Sequence, residues 1–128
     1  MNTAQTQTPK PSDQEARVVA KATVQAAALL DVNNTILARV IGISEASVSR
    51  LRSGEYAPKA HTKPFELAVL FVRLFRGLDA IVGGDPGAAR SWMRARNLAL
   101  HNEPMSLIQT VQGLMQVVQY VDARRARV

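Results

Sequence analysis

Residues 35–54 read TILARVIGISEASVSRLRSG. Thr35 to Ile41 has apolar residues at helical spacing and predicts a short helix. Gly42 stops it, because glycine accepts the left-handed backbone that ends a helix. Ser44 is placed to cap a second helix that runs to about Ser53, where Gly54 ends it. Ala38 is small, so the two helices can approach closely. Ile43, Val48 and Leu51 point inward and lock the crossing angle. The spacing of four residues from Ala38 to Gly42, then six to Val48, suits a tight turn between crossed helices.

The rest of the chain reads outward from this pair. Residues 1–13 are polar, carry Pro9 and Pro11, and are expected to form a disordered tail. From about Glu15 to Leu30 a helix is predicted, with Val19, Ala22, Ala26, Leu29 and Leu30 on one face. Residues 55–62 form a loop, and Pro64 suits the first turn of the next helix. That helix, to Val82, is the most apolar segment, and its run 67–72 is apolar all round. Such a helix is either central to the fold or covered by a second subunit. Gly83-Gly84 breaks it. Asp85 caps, and Pro86 opens, a helix to about Arg96. After the loop 97–103 comes a short helical turn, Pro104 to Gln109. Thr110 caps a last helix striped by Leu114, Val117, Val118 and Val121. No segment alternates as a strand does. The expected fold is all-α with about seven helices: a tail over 1–13, a first region over 14–63 and a second over 64–128.

Composition narrows the chemistry. The chain has 128 residues, 47% hydrophobic and 20% charged, which is a globular balance. It has no cysteine, which excludes disulfides, thiolate metal sites and a cysteine nucleophile, and fits a reducing cytoplasm. No apolar run approaches the roughly 18 residues of a membrane span. The first 15 residues lack the apolar core of a secretory signal. Net charge is +6, and nucleic acid is the default partner of a basic chain this small. The charge is split. Arg39, Arg50, Arg52, Lys59 and Lys63 face only Glu45 and Glu55 in the centre, while Arg124, Arg125 and Arg127 crowd the end.

The central pair reads as a helix-turn-helix of the Xre/Cro type, whose second helix enters the major groove N-terminus first. With Val48 and Leu51 buried, Glu45, Ala46, Ser47, Ser49, Arg50 and Arg52 are the exposed positions, and the capping Ser44 is counted with them as a candidate DNA contact. Glu45 suits a cytosine amino group, Ala46 a thymine methyl, Ser47 and Ser49 a base edge or phosphate, and Arg50 bidentate pairing with guanine. Arg39, Arg52, Lys59 and Lys63 read as phosphate contacts, which set affinity rather than sequence. The competing reading is a helical hairpin that only packs, since Glu45 at the tip is mildly repulsive to phosphate.

The order ILARVIGISEASVSRLRSG, then LFVRLFRGLDAIVGGDPGAARSWMRARNLAL, then VQGLMQVVQYVDARRARV resembles the Xre/MbcA/ParS antitoxins of type II toxin–antitoxin systems over about residues 18–128. One departure is visible: His101-Asn102 stand where this family usually has a Gly pair. The resemblance implies an antitoxin that neutralises a toxin encoded beside it, commonly a RES-domain enzyme that degrades NAD. It implies that the C-terminal region blocks the toxin's active site, with Tyr120, Arg124, Arg125, Arg127 and Val128 as toxin contacts. It also implies binding to the antitoxin's own operator, and a homodimer is expected. The alternative is a free-standing Xre-like repressor with no toxin.

Other residues carry plainer roles. Trp92 is expected in the core, with a binding anchor as the sharper alternative. Asp79 is a surface partner for Arg76 or Arg73, a kind of pair that contributes little. His61 and His101 are too isolated for a metal site. No nucleophile set or phosphate loop stands at motif spacing, so neither catalysis nor a cofactor is expected.

Overall fold

Seven helices follow in chain order in the computed structural model, which describes residues 10–127: α1 (Pro11–Leu30), α2 (Asn34–Ile41), α3 (Glu45–Ser53), α4 (Lys63–Ile81), α5 (Pro86–Arg94), α6 (Pro104–Leu107) and α7 (Val111–Arg125). The all-α expectation holds. Among the described residues the only strand-type pairing is an isolated bridge between Asn97 and Asn102. No helix there is long and apolar enough to cross a membrane.

Ser44, Asp85 and Thr110 cap their helices as expected, and Asn33, not expected, caps α2; each accepts a backbone N–H of the helix it begins. Each such cap contributes about 1 kcal/mol. Gly42 and Gly54 end α2 and α3 in the left-handed conformation, with φ of 72° and 83°. The start of α1 differs from expectation. The helix begins at Pro11, whose missing N–H costs nothing in the first turn. Residues 11–13 of the expected tail are therefore helical, and residues 1–9 lie outside the described residues.

The core is built on α4, which packs most extensively against α7 and α1 and also meets α2 and α5. Phe65, Leu67, Ala68, Phe71, Leu74 and Leu78 line its buried side. One continuous cluster joins Leu67, Ala68, Phe71, Leu74 and Leu78 to Leu37, Ile41 and Val48 on one side and to Met93, Ile108, Leu114 and Val117 on the other. Gly77 lets α7 come close: a Cβ there would lie 2.6 Å from Val121 Cγ1. Arg73 pairs with Asp122 of α7 at 2.6 Å, so it is not the partner of Asp79.

The expected face of α1 is corrected. Ala16, Ala20, Thr23, Ala26, Ala27 and Leu30 are buried, and of the predicted five only Ala26 and Leu30 are among them. Val19 and Ala22 are half-buried, and Leu29 is exposed. The small side chains are turned inward because they let α1 lie close to α4. Thr23 satisfies its buried hydroxyl by donating to the Val19 carbonyl at 2.7 Å. Val18, 67% exposed, is left on the outside.

Candidate functional site

The helix pair α2–α3 has the expected geometry. The Gly42 and Ile43 N–H groups both donate to the Ala38 carbonyl, closing the turn. Ala38, Val48 and Leu51 are buried, and Ile43 is half-buried. The outward face of α3 presents Glu45, Ala46, Ser49 and Arg50, with half-buried Ser47 between them. Ser44 Oγ donates to Ser47 Oγ at 3.0 Å, and Arg50 Nη2 donates to Ser47 Oγ at 3.1 Å. Ser44, Ser47 and Arg50 thus form one linked row. Glu45 accepts from the Thr35 hydroxyl at 3.1 Å, and Ser49 Oγ accepts from Asn34 Nδ2 at 3.4 Å. Lys59 is exposed in the loop after α3. Lys63 is tied to Glu66 at 3.2 Å, both largely exposed, a pair of small energetic weight.

Two arginines of the predicted set are bonded to other segments of the protein. Arg52 Nε donates to Asn34 Oδ1 at 2.6 Å, and its Nη2 donates to the Val32 carbonyl at 2.7 Å. Its planar guanidinium holds the α1–α2 junction instead of facing outward with Arg50. Arg39 donates to Gln109 Oε1 at 3.0 Å, which links α2 to the segment before α7, yet it stays exposed. Asn34 had no motif signal in the sequence, because its role depends on α3 folding back over it.

The second concentration of charge divides. Arg124 Nη1 donates to the Tyr120 hydroxyl at 2.9 Å, and its guanidinium lies 5.8 Å from the centre of that ring. Tyr120 stacks on Trp92, with centroids 6.3 Å apart and planes 20° from parallel. The Arg124 hydrogen bond, and after it the Asn97 side chain and the charges of Arg124 and Arg127, hold the Tyr120 hydroxyl below the usual phenol range against an opposing effect of partial burial. Arg125 is one position along the helix and turns the other way. It joins Arg73 and Arg76 on the rim of a groove of about 310 Å³ floored by Val18, Val19, Ala22, Val69 and Val72. Val128 lies outside the described residues. Trp92 is half-buried: it packs on the core and also contributes to this surface.

A tight loop adjoins the aromatic pair. Asn97 Oδ1 accepts from the Ala99 and Leu100 N–H groups at 2.9 and 3.0 Å, and Asn97 N–H donates to the Asn102 carbonyl at 3.0 Å. His101 takes a φ of 64°, the left-handed conformation that glycine adopts most easily. A single left-handed residue suffices here, so the departure at His101-Asn102 is accommodated.

Residues 12–73 match the model of the antitoxin Xre-like helix-turn-helix domain, and residues 77–127 match that of the antitoxin Xre/MbcA/ParS C-terminal toxin-binding domain. The chain belongs to the Xre/MbcA/ParS antitoxin family. A search of curated proteins returned no match. The chain is thus a type II antitoxin with a helix-turn-helix DNA-binding region and a toxin-binding region. The two matches divide within α4. The packing makes α4 common to both.

Arg90 and Arg94 of α5 tie the toxin-binding region of this antitoxin to α1. Arg90 Nη1 donates to the Leu29 carbonyl at 3.2 Å. Arg94 donates to the carbonyls of Leu30 and Asp31 at 3.1 and 2.7 Å. These carbonyls have no partner within a helix end, and cationic donors there are favourable.

Proposed function

We propose that this antitoxin neutralises a RES-type NAD-degrading toxin encoded beside it, and represses its own operon as a homodimer in the cytoplasm. The observation that carries the reading is the separation of two surfaces on one core: the α3 face, which presents Arg50 outward, and the arginine-rich end of α7. At the first, α3 enters the major groove with Ser44, Ala46, Ser47 and Arg50 leading. Arg50 reads guanine, and Glu45 and Ser49 contact neighbouring bases or phosphate. Arg39 and Lys59 neutralise phosphates. Arg52 supports the motif from inside. At the second, the α7 end occludes the toxin's active site. Tyr120 orients Arg124, and Arg127 lies close enough to add its charge there. Arg125 reaches toward the other groove, so it contributes less. The exposed apolar face of α1 and α4 supports the dimer, and a two-fold repressor reads a two-fold operator.

The test is co-expression with the adjacent reading frame, following growth and NAD level. The neighbour alone is expected to deplete NAD and stop growth. This chain is expected to restore both and to co-purify with it. A harmless neighbour with nothing co-purifying overturns the toxin reading and leaves a free-standing repressor. Binding to DNA upstream of the chain's own gene, read by mobility shift, tests the other half.

A further inference from the structure

Leu98 is 84% exposed, more than any other large apolar side chain among the described residues. Val18, Leu29 and Val69, the exposed apolar residues of α1 and α4, line the grooves between those helices. Leu98 instead stands on the loop between α5 and α6, where no helical periodicity calls for an apolar residue and polar or glycine residues are usual. Single exposed apolar residues are common and by themselves mean little. Two further observations separate this one.

The first is rigidity. Asn97 accepts the N–H groups of Ala99 and Leu100 through its side chain, and its own N–H and carbonyl bond to Asn102 and His101. Leu100 is buried and pins the far side of the turn. Leu98 is thus held out on a closed turn that loses little freedom when a partner arrives. The second is company. The Asn97 side chain faces the Tyr120 hydroxyl, and Tyr120 stacks on Trp92 under the Arg124 guanidinium. Exposed Arg96 lies two residues before Leu98. A rigid apolar knob, next in the chain to an asparagine that reaches this cluster of tryptophan, tyrosine and arginine, supplies with it the residue types of the centre of a protein interface.

We propose that Leu98 is the apolar anchor that seats this antitoxin on its toxin, filling an apolar pocket whose rim carries acidic groups toward Arg96 and Arg124. The inference rests on the reading that residues 77–127 hold a toxin, and adds that the grip does not come from the α7 end alone. A second copy of this chain is the competing occupant. One side chain is a poor dimer interface, and the longer apolar face of α1 and α4 lies elsewhere.

The experiment titrates the full chain against the purified product of the adjacent reading frame. Leu98→Asp is expected to weaken binding about 100-fold, the range of an interface hot spot, and Leu98→Ala about tenfold. Leu98→Met is expected to bind within about threefold of the native chain, because it refills an apolar pocket. Melting temperature, operator affinity and sedimentation mass are expected to stay unchanged in all three, since Leu98 contributes nothing to the core. Leu98→Asp binding the toxin as tightly as the native chain overturns the proposal. So does a Leu98→Asp chain whose mass falls to that of a monomer, which assigns the residue to self-association. If the native chain itself does not bind the probe while still shifting operator DNA, the toxin reading fails and the anchor fails with it.

Discussion

Arg52 at the end of α3 is anchored on Asn34 at the start of α2, its Nε donating to Asn34 Oδ1 at 2.6 Å. Arg50, two residues earlier, reaches only Ser47 on the outer face. On the proposed reading the two arginines separate stability from DNA binding. Arg52→Ala is expected to destabilise the fold by about 1–3 kcal/mol, because it leaves the Val32 carbonyl and the Asn34 amide without their charged partner. Arg50→Ala is expected to stay within about 0.5 kcal/mol of the native stability, while operator affinity falls by about 1–3 kcal/mol. Urea unfolding and mobility shifts on the same two variants check both. Equal stability losses would merge their roles.

Gly77 is a second point where packing decides. Gly77→Ala drives a methyl group against Val121 and is expected to cost about 1–3 kcal/mol. The double variant Gly77→Ala with Val121→Ala is expected to cost less than the sum of the two single variants, since the shorter side chain frees the space. A thermal-melting cycle over the four proteins measures this. Strict additivity would show that α4 and α7 separate easily.

Arg94 satisfies two carbonyls at the end of α1 with one planar group. Arg94→Lys is expected to recover little of the stability lost in Arg94→Ala, because an ammonium group cannot reproduce the fork. Urea midpoints of the two variants give the comparison. Full rescue by lysine would mean that charge alone matters.

Ending the chain after Ala123 is expected to abolish toxin neutralisation and leave operator binding intact, because α3 lies outside the removed segment. Tyr120→Phe is a finer probe. It deletes the hydroxyl that accepts from Arg124 while keeping the stack on Trp92. It is expected to weaken toxin binding by about 0.5–1.5 kcal/mol, the net worth of an ordinary hydrogen bond. Titration against the toxin reads the effect.

What the sequence determined by itself was local. Gly42 and Gly54, the caps Ser44, Asp85 and Thr110, and the stripe on α7 each depend on residues within a few positions. Those signals placed seven helices and the α2–α3 turn. What only the tertiary structure decided was everything that compares distant surfaces. The face α1 turns inward depends on how closely α4 lies, and small residues won that contact over Val18 and Leu29. Arg52 and Arg50 look alike as exposed cations of one helix, and only the approach of Asn34 and the Val32 carbonyl from another segment distinguishes them. Arg124 and Arg125 look like one cluster in the chain, yet about 100° of helical rotation sends one to Tyr120 and the other to the opposite groove. Periodicity and capping are encoded in neighbours along the chain. The partner of a long polar side chain is set by which backbone folds within its reach.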